Sequence, residues 1–152
     1  MASLKDRLRT ELTASMKARD ELRSSTLRMV LTAVTNAEVS GKSARVLSDD
    51  DVTGVLASEG KKRRESAGAY DAADRPELAA KERAEAAIIA EFLPEPMSVD
   101  EISALVSSTI AELGVGQDGM RAMGRVMGAI TPQIKGRAEG GVVSAEVRRQ
   151  LS

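Results

Sequence analysis

Tyr70 and Phe92 are the only aromatic side chains in 152 residues. Hydrophobic residues make up 42% of the chain, so a core must be assembled from Ala, Leu, Val, Ile and seven Met. Such side chains pack closely between helices, and most of them favour the helix intrinsically. The spacing agrees: apolar residues recur at three- and four-residue intervals and no stretch alternates with period two, so the predicted fold class is all-α. A chain of this length can bury about 70% of the surface it exposes when unfolded, so it needs no disulfide or structural metal. It contains neither Cys nor His. Thiol nucleophiles, imidazole bases and Cys/His zinc sites are therefore excluded, and no cofactor is implied.

Lys and Arg total 22 against 23 Asp and Glu, a net charge of -1. That balance excludes a uniformly basic nucleic-acid coat and confines any polyanion contact to local patches. No segment approaches the roughly 18 apolar residues of a membrane span, and residues 1–20 are charged throughout, unlike a signal peptide. A cytoplasmic protein with no membrane partner is expected.

Helix boundaries are marked by caps. Ser3 with Asp6 forms a capping box ahead of Leu4, Leu8, Leu12 and Met16, which predicts helix 1 over 3–18. Helix 2 opens near Asp20 and stops at Ser40-Gly41, and the short gap predicts an antiparallel hairpin with helix 1. Ser48 followed by Asp49, Asp50 and Asp51 starts helix 3, which runs to about Ala73. Pro76 suits the first turn of helix 4, ended by Pro94 and Pro96. Ser98 and Glu101 cap helix 5. Helix 6 is expected behind Asp118, presenting Met120, Met123, Met127 and Ile130, and Ser144 is expected to cap helix 7 with Val147 and Leu151 inward. The Pro94-Glu95-Pro96 tract is the natural boundary. It divides the chain into an N-terminal helical domain, 1–95, a hairpin plus two further helices, and a small C-terminal three-helix domain, 96–152.

Two glycine motifs carry no nucleotide chemistry. Gly114-Val115-Gly116-Gln117-Asp118-Gly119 matches the dinucleotide fingerprint in letters, but follows an amphipathic helix where the fingerprint needs a strand. Gly41-Lys42-Ser43 lacks the first P-loop glycine, since position 36 is Asn36.

Lys61-Lys62-Arg63-Arg64 is the one basic run, and four successive helical residues, ~100° apart, make a ring of charge instead of a stripe. Glu59 is four residues before Arg63 and Lys61 four before Glu65, spacings that suit ion pairs on a solvated helix. The alternative leaves Lys62 and Arg64 to meet phosphates. The apolar stripe Val52, Val55, Leu56 runs into Glu59, Arg63, Ala67 and Tyr70, so a charged pair, Glu59 and Arg63, interrupts the core face. A structural ion pair between helices accounts for it better than an isolated active site, because no second carboxylate is marked as coupled to Glu59. Lys135-Gly136-Arg137-Ala138-Glu139-Gly140-Gly141 links helices 6 and 7; it reads either as a flexible connection or as a loop turning amides and two cations toward a phosphate.

Several stretches together carry a resemblance. They are Glu59-Gly60-Lys61-Lys62-Arg63-Arg64-Glu65-Ser66, Tyr70, Glu82 to Ala90 leading into Phe92-Leu93-Pro94, Met123-Gly124-Arg125-Val126-Met127, and Lys135-Gly136-Arg137-Ala138. In this order and at these intervals, over nearly the full length, the chain resembles the GatB/YqeY family in its stand-alone YqeY-like form. The resemblance implies an all-α protein whose C-terminal part is similar to the tail of the B subunit of glutamine-dependent aspartyl/glutamyl-tRNA amidotransferase, a tail that helps to hold tRNA. By that resemblance Arg63, Arg64, Lys135 and Arg137, with Lys62 beside them, are candidates for phosphate contact. Gly124 and Gly136 are implied to be positions where a side chain would intrude.

The function expected is non-catalytic binding of tRNA, in company with amidotransferase or aminoacyl-tRNA synthetase subunits. One alternative is carbon-nitrogen ligase activity, with glutamine as amide donor, inside such an assembly. Another is a protein–protein adaptor that uses exposed Met120, Met123 and Met127.

Overall fold

A computed structural model of the chain describes residues 2–152 and is all-α, with no strand among them. The helices are α1 (Leu4–Lys17), α2 (Glu21–Glu38), α3 (Asp49–Ala72), α4 (Pro76–Ala90), α5 (Val99–Leu113), α6 (Met123–Ile134) and α7 (Gly140–Leu151), with a 3₁₀ turn over Gly119–Ala122. None of them is long and apolar enough to cross a membrane. The chain divides into two compact units, the first ending at Leu93 and the second spanning Pro94–Ser152.

Caps define most helix starts in the first unit. Ser3 and Ser48 each accept from the backbone N–H three residues on, while Asp6 and Asp51 reach back to the cap's own N–H. Asp20 caps α2 through the Arg23 N–H. The hairpin turns are reversed by Arg19 and Asp74, both left-handed at φ +59° and +57°. Leu8, Leu27, Val30, Val34, Val52, Leu56, Ile89 and Phe92 form the core of this unit. Near the α1–α2 turn, the buried hydroxyls of Ser15 and Ser24 bond to each other at 2.9 Å, which satisfies two polar groups that burial would otherwise penalise.

The second unit encloses its own core of Ile102, Val106, Val115, Val126, Ile130, Val143 and Val147. Ser98 and Glu101 complete the capping box of α5, and Gly114 ends that helix in the left-handed conformation, φ +66°, with Gly119 left-handed too. The letters of the false dinucleotide fingerprint thus spell a C-cap and a turn.

Two boundaries differ from the sequence reading. Asp118 does not cap α6; its backbone is already helical and the chain first makes the 3₁₀ turn, which delays α6 to Met123. Ser144 lies inside α7, because Gly140 and Gly141 are helical and Glu139 is the extended cap residue. The Ser144 hydroxyl donates instead to the Gly141 carbonyl at 3.1 Å, a local bond open to serine within a helix.

Candidate nucleic-acid interface

The basic run lies midway along α3, and its four members have different fates. Arg63 faces α4, where its Nη1 is 3.6 Å from Glu82 Oε2 and 3.7 Å from Glu85 Oε2. These are charge contacts longer than hydrogen bonds, and Arg63 Nε and Glu82 Oε2 are buried without a hydrogen-bond partner. Glu85 and Glu59 are each only 8% exposed. The expected Glu59–Arg63 pairing is replaced: Glu59 is paired with Lys62 at 3.4 Å, because Arg63 is drawn across to the carboxylates of the neighbouring helix. Lys61 pairs with Glu65 at 4.0 Å, as its spacing suggested.

Gly60 lies in this seam. A Cβ there would stand 3.3 Å from Arg64 Nη1, the tip of a flexible side chain, and in ordinary contact with Ile89 Cγ2 at 3.6 Å, so a larger side chain would press on Ile89 of α4. Further along the same hairpin, Arg83 is bonded to Asp71, which holds that carboxyl below its ordinary range. Lys62 keeps a side chain that is 58% exposed despite its partner, and Arg64 is exposed.

In the second unit Arg137 is committed to structure. Its Nε donates to the Glu95 carbonyl at 2.9 Å and its Nη2 meets Glu101 Oε2 at 3.1 Å, while its own carbonyl accepts from the Met97 N–H at 2.9 Å. It ties the α6–α7 connection to the start of α5. The Glu101 carboxyl is held below its ordinary range, first by the Ser98 backbone N–H and then by Arg137. Gly136 is left-handed at φ +77°, which is what requires a glycine there. At Gly124, by contrast, a Cβ would meet nothing within 4 Å, so the implied crowding is not found. Lys135 is exposed.

Sequence reasoning passed over Glu82 and Glu85, although their spacing with Ala79 and Ile89 puts all four on one face of α4. It also passed over Arg121 in the 3₁₀ turn and Arg125 at the start of α6, both exposed. Of the three methionines considered for an adaptor surface, Met123 and Met127 pack against the core and only Met120, at 45%, is exposed. Among the described residues no group of three or more acids is arranged to hold a metal ion.

Comparison with known proteins settles the affiliation. The sequence profile of the Yqey-like protein family matches residues 5–151. The chain belongs to the Yqey-like family. It is also 36% identical over 91 residues to an uncharacterised protein of Schizosaccharomyces pombe, a stretch that is 60% of this chain and 72% of the yeast protein. The family match covers both units, so the α3–α4 seam and the Arg137 tie are parts of one Yqey-like sequence.

Proposed function

We propose that this Yqey-like protein is a non-catalytic binding module that holds tRNA by phosphate contacts from local basic surface. The observation that carries the reading is the division of labour among its cations. Arg63 and Arg137 are anchored to carboxylates inside the fold, whereas Lys62 is largely exposed and Lys135 is exposed with no carboxylate within ion-pair distance among the described residues. Lys62 and Lys135 are therefore the contact residues, Arg64 is exposed beside Lys62 and is added on the sequence resemblance, and Arg63 and Arg137 position the helices that carry them. Support comes also from the sequence resemblance to the tail of the amidotransferase B subunit; amidotransferase or aminoacyl-tRNA synthetase subunits are the protein partners that fit it, in the cytoplasm.

The test is tRNA binding by the full chain at a series of salt concentrations. Phosphate contact predicts that log affinity falls linearly with log salt, and that Lys62→Gln and Lys135→Gln each reduce the slope by about one. Binding that is absent at low salt, or indifferent to salt, overturns the proposal. So does amide formation from glutamine on mischarged tRNA by the purified chain alone, which would establish the ligase reading instead.

A further inference from the structure

The second unit holds six cations, Arg121, Arg125, Lys135, Arg137, Arg148 and Arg149, of which Arg137 and Arg149 have carboxylate partners, Glu101 and Glu146. Arg121 and Arg125 have none among the described residues, and they stand on the wall of one open cavity of about 300 Å³, together with Asp118 and Ala122. Arg121 is steadied from behind, since its Nε donates to the Asp118 backbone carbonyl at 3.4 Å. Ala122, the fourth lining residue, is buried. Two guanidinium groups on the wall of one cavity, one from the 3₁₀ turn and one from the first turn of α6, can grip the oxygens of one phosphodiester or of two successive ones. The cavity is at the small end of the ~300–1,000 Å³ range for bound small groups, enough for one sugar-phosphate unit and not for a folded partner.

Asp118 narrows the choice. A carboxylate beside a phosphate site repels a bare polyanion, but it accepts hydrogen bonds from sugar hydroxyls, and the 2′-hydroxyl is what distinguishes RNA from DNA. We infer that the Asp118–Arg121–Arg125 cavity is a ribose-phosphate subsite, with the two arginines on the backbone phosphate and Asp118 on the ribose 2′-hydroxyl. The inference rests on the RNA-binding reading above and adds to it a site, and a reason for preferring RNA.

The experiment measures binding of the full chain to a tRNA and to a DNA hairpin of matching stem sequence, over a salt series. Arg121→Gln/Arg125→Gln should reduce tRNA affinity by roughly ten- to a hundredfold at low salt and lower the salt slope by about two. The control Arg75→Gln/Lys81→Gln removes the same charge from the first unit and should leave the slope unchanged within about half a unit. Arg121→Lys/Arg125→Lys should keep the slope and lose part of the affinity, which separates phosphate contact from misfolding. Asp118→Ala should bring the ratio of tRNA to DNA affinity toward one.

If the glutamine pair behaves like its control while the wild type still binds tRNA in a salt-dependent way, the subsite is wrong and the wider RNA reading survives. A wild type that binds no tRNA removes both. An unchanged RNA-to-DNA ratio in Asp118→Ala overturns the role given to the carboxylate.

Discussion

Arg63 shows how a side chain's address on a helix decides its task. It belongs to a run of four cations, yet it is the one facing Glu82 and Glu85, and removing it would strand two largely buried carboxylates. Arg63→Ala should therefore destabilise the first unit by about 3 kcal/mol, whereas Lys62→Ala, on an exposed pair, should cost under about 1 kcal/mol. Urea unfolding of the two variants checks the contrast; equal losses would contradict the assignment. The glycines of α3 divide in the same way. Gly68 has open space around its Cβ position, so Gly68→Ala should raise stability by roughly 0.5–1 kcal/mol through helix propensity alone. Gly60→Leu would drive a side chain into Ile89 and should cost about 1–3 kcal/mol by overpacking. Thermal melts that move in the same direction for both would refute the account of Gly60.

At the level of elements, the start of α5 is held by two devices that share one carboxylate. Glu101 Oε1 accepts from the Ser98 N–H at 3.4 Å, and Glu101 Oε2 meets Arg137. A carboxyl whose folded-state pKa is below its unfolded one adds stability above the unfolded value, and that contribution disappears as pH falls through the folded value. Glu101 and Glu146, the latter lowered by Arg149, both act in this direction. The second unit should thus lose stability from about pH 4 downward. Glu101→Gln should make that decline shallower while lowering stability at neutral pH; a decline of unchanged steepness, followed by circular dichroism, would exclude Glu101 as a cause. The delayed start of α6 and early start of α7 belong to this scale too. Asp118 and Ser144 are good cap residues by type, but a 3₁₀ turn and a helical Gly140-Gly141 occupy the places where capping would have begun.

For the whole molecule, the decisive feature is that the two cores have no residue in common. Leu56→Ala and Ile130→Ala remove fully buried side chains, one from each core, and each should cost about 2–5 kcal/mol. Hydrogen exchange should accelerate mainly within the unit that carries the substitution. Equal acceleration in both would mean that the cores unfold as one. The same separation bears on the proposed tRNA binding: Lys62 and Arg64 belong to the first unit, Lys135, Arg121 and Arg125 to the second, so the contribution that the proposal assigns to each unit is measurable by separate substitutions.

The all-α class, the helix order, the caps at Ser3, Ser48 and Ser98 and the opening of α2 near Asp20 were legible from the chain alone, because capping and apolar spacing act within a few residues of sequence. The site was legible only in part. That Lys62, Arg63 and Arg64 share a helix follows from spacing, but which of them points at a neighbouring helix depends on how α3 and α4 are rotated about their axes, a quantity set by tertiary packing. Arg137 likewise looks like a loop cation until the fold brings Glu95 and Glu101 to it from some forty residues away. Sequence determined which charges exist and which helices carry them; tertiary structure decided which are drawn into ion pairs within the fold and which stay exposed, because ion pairing depends on distances that local periodicity does not fix.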